Sequence, residues 1–172
     1  MSESINSPAA DAAGSVKTPR ALSLWNRLNG NVLGRTLFSA GVWIKAPYFV
    51  TVVPIVKSAV PGKVVMSAPK WPGVHNHIGT FHAIAACNLA EAAMGVLMEV
   101  TVPPTHQWIP KGMQVSYLRK APTGLTAVAE IEVPDFAALS AGADVVVPVS
   151  LRDKAGNEVV HAEITTWVRA RA

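Results

Sequence analysis

Residues 80–100, TFHAIAACNLAEAAMGVLMEV, decide how this chain folds. The stretch has no proline and is built from good helix formers, so a helix is predicted over its whole length. Apolar residues fall on almost every face: Ala83, Ile84, Ala85, Ala86, Leu89, Ala90, Ala92, Ala93, Val96, Leu97 and Met98. A helix that is apolar nearly all round must be buried nearly all round, and its many alanines let a sheet wrap it closely. Thr80 or Asn76 is the expected N-cap.

Outward from this helix, the chain reads as strands. After Pro103-Pro104 come Gln107 to Leu118, Leu125 to Val133, Asp144 to Arg152 and Glu158 to Val168. Period-two alternation is clear in Met113, Val115 and Tyr117, and in Ala127, Ala129, Ile131 and Val133. The loop Asp153 to Asn157 should join the last two strands as a hairpin. Before the helix, Tyr48 to Ser58 is β-branched and aromatic from Phe49 to Val53, and Lys63 to Ala68 repeats that character after the turn Pro61-Gly62. Pro54 predicts a bulge or an edge position for the first of these strands. Earlier still, Leu22, Trp25, Leu28, Leu33, Leu37 and Trp43 recur at near-helical spacing around Gly30 and Gly34. One or two short amphipathic helices fit, packed on the domain's own sheet or lying on a membrane surface. Residues 1–19 read as a flexible tail and 20–172 as a single domain. The sum is an α+β fold in which a curved antiparallel sheet of about six strands wraps a long central helix, with a short helical segment in front. That is the element order of the hotdog fold.

Composition narrows the function. The chain has 172 residues, 50% of them apolar and 15% charged, with a net charge of +4. So little charge implies that some apolar surface is covered by another copy, as a dimer or a dimer of dimers. There is no basic stripe with interleaved aromatics, which argues against nucleic acid, whereas a mildly basic surface suits an anionic ligand such as coenzyme A. The single cysteine, Cys87, lies in the apolar helix and reads as a buried, inert thiol. The N-terminus lacks the basic start and apolar core of a signal peptide, and the longest apolar runs are broken by Lys, Pro or Glu, so a cytoplasmic protein without a membrane span is expected.

Two features could carry chemistry. The stretch His75-Asn76-His77-Ile78-Gly79-Thr80-Phe81-His82 leads into the helix. There, free backbone N–H groups and the positive end of the helix dipole would face an oxygen becoming negative, as in attack on a thioester carbonyl. A capped helix start after a surface loop is the plainer alternative. Glu91 sits midway along the helix between two alanines, where burial would raise its pKa into a general base's range. The alternatives are a gap in the sheet or pairing with a cation. Asn88 is either its partner or a polar gap-filler. His82 and Glu91 are nine residues apart, hence on opposite faces and about 13.5 Å apart along the axis. They would share a site only if two copies packed their helices antiparallel. His75, His77 and His82 are close enough for two to bind a metal, but no Cys or carboxylate follows at a familiar spacing, and no metal is expected.

Asn76, then His82, then Glu91 resembles the Asn, His and acidic residue of PaaI-like hotdog thioesterases. The surrounding His77 to Ala83, with Trp108-Ile109-Pro110-Lys111-Gly112-Met113, is more similar to the hotdog group DUF4442. The resemblance implies an acyl-CoA thioesterase with its site at a dimer interface. In it, Glu91 is general base or nucleophile, the Gly79 end of the helix and His82 polarise the carbonyl, and Asn76 orients water or the carboxylate. It implies no cofactor, coenzyme A being part of the substrate. His82-Ala83-Ile84 replaces the common His-Gly-Gly, and Glu replaces the more frequent Asp. Thr101, Thr105 and Ser116 are candidates for an assisting hydroxyl. His77 and Thr80 are candidate substrate contacts, and Lys111 and Arg119, with Lys120, candidate partners for coenzyme A phosphates. A non-catalytic acyl- or lipid-binding protein and an enoyl-CoA hydratase or dehydratase are the competing readings.

Overall fold

The computed structural model describes residues 17–171, so all but the end of the expected N-terminal tail lies outside the described residues. Six strands form one sheet: β1 (Ile55–Val60), β2 (Lys63–Ala68), β3 (His106–Tyr117), β4 (Leu125–Glu130), β5 (Ala143–Arg152) and β6 (Glu158–Ala170). Every pairing is antiparallel, in the order β1-β2-β4-β5-β6-β3. The sheet surrounds the long helix α3 (Ala83–Thr101), which touches all six strands. The fold is the expected α+β hotdog.

Helix α3 has the length and apolarity to cross a membrane, with a mean hydropathy of 1.5 over its best window. Here the sheet buries most of it instead. Leu89, Met94, Leu97 and Met98 are shut off from water, and burying each such side chain contributes about 1.5–3 kcal/mol. The helix begins three residues later than Thr80. Phe81 N–H donates to the Ala121 carbonyl (2.9 Å) and His82 N–H to that of Val74 (2.7 Å), so this backbone is held extended up to His82. The cap is therefore His82, not Thr80 or Asn76. At the other end Val102 is extended and Pro103-Pro104 stops the helix.

The segment before β1 departs from expectation. Pro47–Val52 is a 3-10 helix, not a strand, with its proline at the first turn. Val53 then takes a left-handed φ of 48°, and Trp43 Nε1 donates to the Pro54 carbonyl at 2.9 Å. Strand β1 starts only after Pro54. It lies at the sheet edge and has a register break between Val56 and Ser58, so the edge and irregularity implied by Pro54 occur just past it. The turn 61–62 forms as predicted. Gly62 has φ 82°, and a Cβ there would come 2.9 Å from the Ile131 carbonyl oxygen. The 153–157 loop closes the β5–β6 hairpin, with Asp153 Oδ1 accepting from the N–H groups of Ala155 and Asn157.

Two helices precede the sheet, α1 (Arg20–Leu28) and α2 (Val32–Lys45). They pack on the domain: α1 rests on α3 and α2 on β1. Trp25 and Phe38 meet edge to face at 5.1 Å, and Ser39 Oγ accepts from Val56 N–H at 3.0 Å.

Edge strand β3 carries a bulge between Pro110 and Gly112. The bulge changes which parity faces inward, so Trp108 packs on the core before it, and Met113 and Val115 after it. In β5, the ladder with β4 stops at Val149, one residue short of Pro148.

Candidate active site

The loop ahead of α3 is organised by Asn76. Its Oδ1 accepts from the N–H groups of Ile78 (3.1 Å) and Thr80 (3.0 Å), and its Nδ2 donates to Thr80 Oγ1 at 2.8 Å. Gly79, at φ 73°, closes the turn by donating its N–H to the Asn76 carbonyl. Thus Asn76, Thr80 and Gly79 come together in one hydrogen-bonded loop, with His75 and His77 exposed on it. The helix's positive end is at His82 and Ala83, not Gly79. His82 Nδ1 accepts from Ile84 N–H at 3.1 Å, and the His82 carbonyl accepts from Ala86 N–H. Of the first-turn donors, those of Ala83 and Ala85 have no hydrogen-bond partner among the described residues. Among the described residues, no three His, Cys, Asp or Glu side chains converge as a metal site.

Glu91 is not buried in the chain by itself. It is exposed on a stripe of α3 that the sheet leaves uncovered, with Ile84 on one side and half-covered Cys87 and Gly95 nearby. The sequence alternative of a gap in the sheet is the one realised. Asn88 is not its partner: Asn88 Nδ2 donates to Thr51 Oγ1 at 2.7 Å. Asn88 Oδ1 is buried without a partner among the described residues.

Cys87 also departs from expectation. Rather than a sealed core thiol it is half-exposed, and its Sγ lies 3.2 Å from the Tyr117 hydroxyl at the end of β3. The bond with the Cys87 sulfur, then burial and charge repulsion from Cys87, push the Tyr117 phenol up to about 12. Tyr117 thus braces β3 against the uncovered stripe. Thirty residues separate the two, so only the fold could reveal this contact.

The basic candidates divide. Lys111 Nζ bonds both carboxylate oxygens of Asp144 (2.9 and 2.8 Å) and lies 5.2 Å from the Trp167 ring, so its charge is already engaged. Arg119 and Lys120 are exposed and directly precede Ala121, whose carbonyl anchors Phe81 beside the helix start. Thr101 Oγ1 accepts from Gly62 N–H and Thr105 Oγ1 bonds His106 Nδ1, so both serve local structure, while Ser116 is exposed on β3.

The family model of a domain of unknown function, DUF4442, matches residues 34–168. The chain belongs to the DUF4442 family. The DUF4442 chain is similar to a solved structural-genomics protein, APC5556, at 36% identity and TM-score 0.75, over 88% of this chain and 99% of that one. A Pseudomonas aeruginosa protein of unknown function, described as a probable thioesterase, shares 22% identity at TM-score 0.71, over 81% and 95%. A Haemophilus influenzae thioesterase shares 13% at TM-score 0.61, over 72% and 82%. The likeness to these last two is one of fold. No curated protein sequence matches the chain.

Proposed function

We propose that this protein is an acyl-CoA thioesterase whose site is completed by a second copy of the chain. The observation that carries the reading is the exposed carboxylate of Glu91 on the uncovered stripe of a helix whose other side is sealed by its sheet. Edge strand β3, 12 residues long, has one side unpaired among the described residues and presents Ile109, which suits pairing with another copy. Pairing about that edge would bring Glu91 of one copy toward the His82 helix start of the other, which one chain cannot do.

In this reading Glu91 takes a proton from water as the oxygen adds to the thioester carbon. The Ala83 and Ala85 N–H groups receive the oxyanion. Collapse of the adduct expels the coenzyme A thiolate, which takes up a proton, leaving a carboxylic acid and a free thiol. If Glu91 attacks directly, the acid is released when water opens the resulting anhydride. Arg119 and Lys120 meet the coenzyme A phosphates, with His77 at the rim. Asn76 holds the loop that presents the helix start. The protein works in the cytoplasm as a dimer or dimer of dimers, without a cofactor.

The test is thiol release from short, medium, long-chain and aromatic acyl-CoA thioesters by the wild type and Glu91→Gln. A loss of about 100-fold or more in kcat/KM, with association state and fold intact, is expected. Equal turnover by both proteins would remove Glu91 from the chemistry. Tight ligand binding without turnover by the wild type would point instead to an acyl-binding protein.

A further inference from the structure

A cleft of about 540 Å³ opens between α1, α2 and the C-terminal half of α3. Leu24, Phe38, Val42, Phe49, Val96 and Trp108 line it, and the charged residues at its margin are Arg20, Lys45 and Glu99. The walls between these margins are apolar and offer little for a sugar or a nucleotide base to bond. It suits hydrocarbon, and its size is that of a small-molecule site.

The wall of the cleft begins beside Glu91, at Ala92 on α3. Gly95 belongs to its wall and lies one helical turn beyond Glu91 on nearly the same face of α3. This glycine is not required by the backbone, since it sits inside a regular helix without positive φ. Nor do close neighbours require it: a Cβ there would meet only Trp108, at an ordinary 3.8 Å. Glycine is a poor helix former, and its effect here is to keep the wall low between Glu91 and the cleft. At the far end, Lys45 Nζ and Glu99 Oε2 stand 3.6 Å apart across the opening. From Ala92 to Glu99 the helix runs about 10 Å, and an apolar tail gains nothing by passing an ion pair.

We propose that this cleft holds the hydrocarbon chain of a medium-length acyl group, its carbonyl toward Glu91 and its methyl end toward the Lys45–Glu99 pair. The assignment of the carbonyl end rests on the thioesterase reading above; the affinity of the cleft for the chain is tested without it. Binding should strengthen by roughly fourfold per methylene until the chain reaches the ion pair.

The probes are S-butyl-, S-octyl- and S-hexadecyl-coenzyme A, thioethers that cannot be hydrolysed, titrated calorimetrically into the full-length protein. Wild type should bind the octyl compound at least about tenfold more tightly than the butyl one, with no comparable gain from octyl to hexadecyl. Gly95→Leu should lose at least about tenfold for octyl and less for butyl, at unchanged association state. Leu24→Lys, on the opposite wall and 48% exposed, should show the same selective loss even if the Gly95 variant fails to fold. Equal binding of butyl and octyl, or octyl affinity unchanged in Leu24→Lys, overturns the proposal. So does a Gly95→Leu variant that dissociates the oligomer yet keeps its octyl affinity, which would assign Gly95 to the contact between copies. Selective octyl binding without turnover of any thioester would keep the cleft and discard hydrolysis. Turnover with length-independent binding would do the reverse.

Discussion

The two sides of α3 are made from one continuous apolar stretch and do different work. One side, with Leu89, Ala93 and Leu97, is sealed by the sheet. The other, with Ile84, Cys87, Glu91 and Gly95, is left wholly or partly uncovered. Enclosure of the first side supplies stability through packing, so change there is felt as a cavity. The second side can change without opening the core, which frees it to carry a carboxylate and a missing side chain.

The contrast can be broken most forcefully from the sealed side. Leu97→Ala should lower the unfolding free energy by about 2–5 kcal/mol in urea denaturation; a negligible change would mean that the sheet does not close over it. Glu91→Gln should do the opposite, leaving unfolding within about 0.5 kcal/mol of wild type while thiol release falls as stated above. His82→Ala tests the end of the helix where the two sides meet. Loss of its bond to Ile84 should lower stability by about 1 kcal/mol, read from the shift in denaturation midpoint.

The finest probe is the Cys87–Tyr117 contact. With its pKa raised in the folded state, the Tyr117 phenol contributes stability that is complete below its ordinary value of about 10 and is lost as pH rises through about 12. Cys87→Ala should bring the phenol back toward its ordinary range, seen as earlier tyrosinate absorbance in an alkaline titration. An unchanged titration would mean that the sulfur is not what holds the proton.

The same contrast explains what could be read from sequence. Turns set by local chemistry were legible: Pro61-Gly62 and 153–157 sit where their residues place them, because glycine conformation and an Asp side chain act within a few residues. The central helix was legible from its apolar content. The run Phe49 to Val53 was misread because distant partners overrule its β character. Trp43 ties down Pro54, and Asn88 holds Thr51. Helix α3 starts late for the same reason, through bonds to Val74 and Ala121. Glu91's exposure, the engagement of Lys111 by Asp144, and the meeting of Cys87 with Tyr117 all depend on which strand lies beside which, and no local pattern encodes that.

Pro148 has a consequence for the protein's life in solution. Beyond the end of β4, the run Val145-Val146-Val147 of β5 has, among the described residues, β6 on one side only, and Val146 is 49% exposed. Three consecutive valines on an open strand margin are a template for sticking to a neighbouring molecule. A proline at the next position has no N–H to offer an incoming strand, so it interrupts the ladder where cross-molecule growth would begin. The residue thus guards colloidal behaviour, a property tied neither to the stability of the core nor to chemistry at the uncovered stripe.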